Sequence, residues 1–134
     1  MFSEARVLIA EDNPYLAMDL SNAVADLDGK IVGPASSLAE ALQLLEQHPV
    51  AAAIVDSQLG EHDTVSLVRI LAQRRVPFVI HTAAPVSTTI SALHPEVPVL
   101  IKPLQPQAVI TCLLNEMRKF QQLPSIGPLS WPQT

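Results

Sequence analysis

At 134 residues, with 49% hydrophobic residues and a mean hydropathy of +0.29, the chain is long enough to bury one full core and too apolar to be disordered. A net charge of −5 argues against a nucleic-acid or membrane surface, since the eight basic residues are scattered, with Arg74-Arg75 and Arg118-Lys119 the only adjacent pairs. The single cysteine, Cys112, cannot support an internal disulfide framework and fits a reducing compartment. No apolar run approaches the eighteen or so residues of a membrane span. The stretch Met1 to Arg6 does not read as a signal peptide, because strand residues begin almost at once. A soluble, cytoplasmic protein is the expectation.

Arg6 to Ala10 predicts a first strand. Asn13-Pro14 then supplies a helix N-cap and a proline at the first helical position. Leu16, Leu20, Ala23, Val24 and Leu27 share one face of that helix, and Gly29 reads as its stop. Lys30 to Ala35 predicts a short second strand. Ser37-Leu38-Ala39-Glu40 has the form of a capping box, opening a helix whose inner face is Leu38, Ala41, Leu42 and Leu45 and which Pro49 ends.

Val50 to Val55 is the third strand, continuously apolar as a central parallel strand should be. Gly60 marks a loop, and Val65, Val68 and Leu71 line a third helix. Val76 to Ile80 and Val97 to Ile101 predict strands four and five. Between them, Ala83 to Glu96 holds Pro85, Pro95 and the poor helix formers Ser87 to Ser91, so the fourth helix is expected to be short or irregular. Gln105-Pro106 opens a fifth helix with Val109, Leu113, Met117 and Phe120 inward. The alternation implies a doubly wound, five-stranded parallel sheet with helices on both faces. That domain is expected over residues 1–123, with 124–134 as a proline-rich tail in which Trp131 is incidental.

The chemistry gathers at strand ends. Glu11-Asp12 follow the first strand, Asp56 the third, Thr82 the fourth and Lys102 the fifth. In open α/β sheets ligands bind at that edge. Three carboxylates, a hydroxyl and an ammonium suit a divalent cation and a phosphoryl group. Singly, each position has an ordinary structural reading: a solvated acidic turn, a loop cap, a packed hydroxyl, a surface lysine. Five in order, each ending a strand, do not reduce to coincidence. Elsewhere, His48, His62, His81 and His94 show no metal-ligand spacing with one another or with Cys112. His81 reads as packing beside Thr82, and Cys112 as a buried structural thiol. There is no glycine-rich phosphate loop, nucleophile elbow or Walker motif.

Over residues 6 to about 122 the chain resembles the receiver domain of bacterial two-component response regulators. The resemblance rests on Glu11-Asp12, Asp56, Thr82 and Lys102-Pro103, with Asp56 44 positions after Asp12, and on the loops Asn13-Pro14 and Ser57-Gln58-Leu59-Gly60. It implies a flavodoxin-like fold and Asp56 as the nucleophile that takes a phosphoryl group from a histidine kinase or a histidine phosphotransfer protein. It implies Mg²⁺ (or Mn²⁺), a hard cation suited to oxygen ligands, held by Asp12, Asp56 and the backbone carbonyl of Gln58, with Glu11 acting through water. Lys102 would neutralise a phosphoryl oxygen, Thr82 would hydrogen-bond the phosphoryl group, and the Lys102-Pro103 peptide would be cis. The implied protein is a stand-alone regulator, not an enzyme beyond self-phosphotransfer and autodephosphorylation. It acts through an unidentified protein target, with homodimerisation left open.

Two positions depart from the usual pattern. Many receivers carry Tyr or Phe three residues before the lysine, where this chain has Val99, a side chain with no ring to swing. Most have Met-Pro at the third and fourth residues after the aspartate, where this chain has Leu59-Gly60. The run Pro98-Val99-Leu100-Ile101-Lys102-Pro103 is similar to a subset of receivers with a short or altered fourth helix. Signal output is therefore expected to use a rearranged surface, such as the loop from Thr82 to Ser91. Two rival readings stand beside this one. The first is a receiver-fold binding module that works without phosphate. The second is a small Mg²⁺-dependent phosphatase with an aspartyl nucleophile, although such enzymes place a second aspartate where this chain has Gln58.

Overall fold

The structure is a computed structural model that describes residues 2–122; the expected tail, with Trp131, lies outside the described residues. Five parallel strands form the sheet: β1 (Arg6–Ala10), β2 (Lys30–Ala35), β3 (Ala52–Val55), β6 (Phe78–Thr82) and β7 (Val99–Ile101), in the order β2-β1-β3-β6-β7. The connecting helices are α1 (Pro14–Asp26), α2 (Leu38–Gln47), α3 (Val65–Gln73), α4 (Thr88–Leu93) and α5 (Pro106–Gln122). A two-stranded antiparallel hairpin, β4 (Gln58–Leu59) with β5 (His62–Asp63), interrupts the loop after β3. The doubly wound parallel sheet expected from the sequence is the observed fold.

Strand alternation divides the core in two. Leu8, Ala10, Ala53, Val55, Phe78 and Ile80 pack with Ala41, Leu45, Val68 and Leu71 from α2 and α3. Val7, Ile9, Ala52, Ile54 and Val79 face the other way and meet Leu20 and Val24 of α1 and Val109 and Leu113 of α5. Residues 7–10 of β1, 52–55 of β3 and 78–80 of β6 are apolar on both faces because both faces are covered.

Helix starts follow the sequence signals. The Asn13 carboxamide oxygen accepts from the Tyr15 and Leu16 amides at 3.0 and 3.2 Å, satisfying two of the orphan donors of α1. The Ser37 hydroxyl accepts from the Glu40 amide at 3.1 Å. The Glu40 carboxylate reaches back one residue further than in a standard capping box, to the Ser36 amide at 2.9 Å. The end of α1 differs from expectation. Asp28, not Gly29, takes the left-handed conformation (φ 65°), and the Asp28 and Gly29 amides close the helix on the Ala25 and Val24 carbonyls. This is the hydrogen-bond pattern of a Schellman cap, with aspartate tolerated in place of glycine.

Strand limits also shift. β3 begins at Ala52 rather than Val50, β7 at Val99 rather than Val97, and β6 runs Phe78–Thr82 rather than Val76 to Ile80. β6 therefore extends to include Thr82, whose carbonyl accepts from the Lys102 amide at 2.9 Å. The fourth helix is short, as composition predicts, with six residues started by the Ser87 hydroxyl accepting from the Ile90 amide. It packs against α3. On the edge strand β7, Val99 is 40% and Ile101 59% exposed.

Gly33 fits the one irregularity in the β1–β2 pairing, where the register shifts between Leu8 and Ala10. Its φ is +100°, and a Cβ there would lie 2.7 Å from the Ala35 amide nitrogen and 3.0 Å from the Ile9 carbonyl oxygen. Gly33→Ala should destabilise the protein by more than about 1 kcal/mol. Urea unfolding should show it as a lower midpoint with an unchanged slope.

Candidate functional site

The five polar residues converge at the C-terminal edge of the sheet because β1, β3, β6 and β7 all point the same way and end at nearly the same level. Pairing in register places Ala10 beside Val55, so the residues that follow, Glu11 and Asp56, emerge side by side. The Asp56 amide donates to the Ala10 carbonyl at 3.0 Å and the Glu11 amide to the Ala35 carbonyl at 2.9 Å, which carries the sheet pairing up to the site. Glu11 and Asp56 are 3% and 6% exposed, unusual burial for carboxylates without a cation partner.

Lys102 is that partner. Its Nζ lies 2.7 Å from Asp56 Oδ2 and 2.9 Å from Glu11 Oε1. The Lys102-Pro103 peptide is cis, as the resemblance implies. The second Glu11 oxygen accepts from the Asn13 amide at 3.0 Å, and Asp56 Oδ1 accepts from the Gln58 amide at 3.2 Å. Asp12 is exposed, and its carboxylate accepts from the Gly60 amide at the hairpin tip, 2.9 Å away. Thr82 is brought to the same edge but is engaged elsewhere: its Oγ1 is 2.8 Å from Ser57 Oγ and accepts from the Ala84 amide at 3.1 Å. Gln58 sits in β4 directly after this group.

Glu11, Asp12 and Asp56 each offer an oxygen, and these oxygens lie within 4.8 Å of one another. Three carboxylates around one ammonium leave an excess of negative charge. The proton affinities follow. Burial raises the Glu11 carboxyl above its ordinary value, although the Lys102 and Asn13 hydrogen bonds oppose the rise. Burial alone would lower Lys102, but its bonds to Asp56 and Glu11 outweigh that and raise it. Both groups hold protons more tightly, Glu11 because it is buried and Lys102 because two carboxylates hold its charge. All-oxygen donors with two carboxylates partly desolvated fit a hard divalent cation.

A profile of the family described as the response regulator receiver domain matches residues 7–114. The chain belongs to the response regulator receiver family. Receiver domains bind Mg²⁺ at an acidic pocket, are generally phosphoacceptors rather than dedicated enzymes, and interact with histidine kinases or phosphotransfer proteins. The chain is 35% identical over 79 residues to the transcriptional regulatory protein PdtaR of Mycobacterium tuberculosis, a match covering 58% of this chain and 38% of that protein. It thus spans well under half the length of that relative. Among solved structures it is similar to the response regulator PhyR of Brucella abortus, with 28% identity, a TM-score of 0.69, and coverage of 87% of this chain and 49% of that one. A CheY-like receiver from Methanospirillum hungatei shares the fold, with a TM-score of 0.78 at 15% identity, covering 89% of this chain and 98% of its own. Among the described residues no helix of this receiver is long and apolar enough to cross a membrane.

Three contributors were given no part at the site from the sequence. Thr64, fully buried before α3, donates its hydroxyl to the Asp56 carbonyl at 2.8 Å. Ser57 holds Thr82. Gly60, read as a loop marker and as part of the Leu59-Gly60 departure but given no partner, takes φ +62° at the tip of the hairpin and presents its amide to Asp12. For Ser57 and Thr64, short polar side chains within ten positions of Asp56 were the one available signal. Cys112, expected to be buried, is half-buried at the edge of the α5 core, and burial raises its thiol.

His81 is buried as expected of a packing residue, at 1% exposure, yet among the described residues neither ring nitrogen has a hydrogen-bond partner. It shares its sheet face with Val79, the face of Glu11, Asp56 and Lys102 by alternation. Burial first, and the Lys102 charge second, lower its pKa, with Asp56 opposing. A folded-state value below the unfolded 6.5 means the unfolded chain binds the extra proton, so stability is lost as pH falls through about 6.5. His81→Leu should be at least as stable as the parent at about pH 8, because an unpaired buried polar group costs about 1–3 kcal/mol. Between about pH 8 and pH 5.5, thermal melts should show the parent losing more stability than the variant.

Proposed function

We propose that Asp56 accepts a phosphoryl group, in the presence of Mg²⁺ or Mn²⁺, from a histidine kinase or a histidine phosphotransfer protein, and that the phosphorylated form is read by a protein target. The observation that carries the reading is Lys102 Nζ seated between Asp56 and Glu11, at 2.7 and 2.9 Å, with Asp12 facing them. Attack by a carboxylate on a phosphoryl group brings like charges together. The protein's task in such transfers is mainly positioning and charge neutralisation.

Each residue has a part that its surroundings support. The Gln58 amide and Lys102 orient the Asp56 carboxylate, holding Oδ1 and Oδ2 respectively. Lys102 keeps its proton throughout ordinary pH, since its pKa is raised, and so supplies a permanent positive charge to an incoming phosphoryl oxygen. Asp12, Asp56 and the backbone carbonyl of Gln58 would hold the cation, with Glu11 acting through water; the cation supplies further charge neutralisation when bound. Thr82 would hydrogen-bond the phosphoryl group on Asp56. With the usual aromatic replaced by Val99 and the outer face of β7 open to solvent, output is read from the short α4 and the loop before it. The setting consistent with such a partner is cytoplasmic.

Incubation with acetyl phosphate and Mg²⁺ should add one phosphoryl group to the intact protein by mass spectrometry, and none to Asp56→Asn. No addition to the parent with either a small donor or a kinase would return the phosphate-free binding module as the better reading. Steady turnover of a small phosphoester would instead favour the phosphatase. Asp12→Asn should weaken Mg²⁺ binding measured by calorimetry. Lys102→Met should reduce phosphorylation while leaving the buried Asp56–Glu11 pair short of its cation, with a lower melting temperature at neutral pH, since breaking a buried ion pair costs about 3–5 kcal/mol.

A further inference from the structure

Taking the transfer to Asp56 as proposed above, we propose that Ser57 is the resting-state partner of Thr82 and governs how readily Thr82 turns toward a phosphoryl group. Ser57 is a positioning residue: it acts through Thr82 and touches no reacting atom.

The geometry is local and closed. Asp56 continues the face of Ile54, which belongs to the α1–α5 layer, so the next residue, Ser57, points to the opposite side of the sheet. Thr82 continues the face of Ile80 in the α2–α3 layer, and so points the same way as Ser57. Their oxygens meet at 2.8 Å with both residues buried, at 5% and 1% exposure. The Thr82 oxygen also accepts from the Ala84 amide at 3.1 Å. Among the described residues no hydrogen bond joins Thr82 to Asp56.

Either hydroxyl can be the donor in the Ser57–Thr82 bond. To reach a phosphoryl oxygen on Asp56, which continues the opposite face of the sheet, Thr82 must turn across the sheet edge and leave Ser57. The Ser57 backbone cannot follow. Its carbonyl accepts from the Thr64 amide at 3.1 Å, and the Thr64 hydroxyl is bonded to the Asp56 carbonyl, so the backbone on both sides of Ser57 is held. The resting bond and the phosphoryl bond are therefore alternatives. The Ser57 hydroxyl opposes the phosphorylated arrangement by the net worth of one buried hydrogen bond, about three- to ten-fold in an equilibrium constant.

The test titrates the full chain with beryllofluoride in the presence of Mg²⁺, a mimic of the phosphoryl group, following binding by calorimetry and by the Thr82 methyl signal in NMR. Ser57→Ala should bind about three- to ten-fold more tightly than the parent. Ser57→Thr, which keeps the hydroxyl, should bind as the parent does. In a Thr82→Val background, Ser57→Ala should change nothing, because the effect runs through the Thr82 hydroxyl. Unchanged or weaker binding by Ser57→Ala, or an equal gain in the Thr82→Val background, overturns the proposal while leaving phosphoryl acceptance intact. Failure of the parent to bind beryllofluoride in an Asp56-dependent way, judged against Asp56→Asn, overturns both. Should Ser57→Ala not fold, Ser57→Cys replaces the hydroxyl with a weaker partner of similar shape and decides by the same comparison.

Discussion

One ammonium holds the working edge of this protein together. Lys102 arrives from the edge strand β7 and places its charge between two carboxylates that the register of β1 and β3 forces side by side. Without a cation, Glu11 and Asp56 would be two buried like charges, an arrangement that proteins avoid by protonation or movement. With Lys102 present they are tolerable but still in charge excess, because Asp12 adds a third carboxylate. The site is thus compensated enough to fold while keeping an excess of negative charge.

The rest of the edge arranges itself around that compromise. Asp12, the exposed acid, is not paired with Lys102 but is tied to the Gly60 amide at the tip of the β4–β5 hairpin. Glycine in place of the usual proline lets the hairpin turn at φ +62°, with open space where a Cβ would be. The departure from the family pattern therefore has a structural use, linking the loop after Asp56 to the exposed acid of the cluster. Thr64 extends the same loop's anchoring downward to the Asp56 carbonyl.

At the far edge of the sheet, Val99 and the short fourth helix share one physical setting. The proline-bounded stretch before β7 forms only the six-residue α4, which packs on α3. Val99 and Ile101 consequently remain open on the edge strand. Val99 is stiff and small, so nothing there can swing between buried and exposed positions as an aromatic ring could.

How much of this was legible before the fold was known depends on the range of the interaction. The sequence by itself determined the strand–helix alternation, the parallel sheet, the Asn13 and Ser37 caps, the short fourth helix and the strand-end polar set, because periodicity, capping and proline placement act over a few residues. Only the tertiary structure decided that Lys102 bridges Glu11 and Asp56, that Thr82 rests on Ser57, that Gly60 serves Asp12, and that His81 is buried with no hydrogen-bond partner among the described residues. Those are contacts between residues up to 91 positions apart, as for Glu11 and Lys102. Strand register and the level at which each strand ends set them, and no local pattern in the chain encodes either.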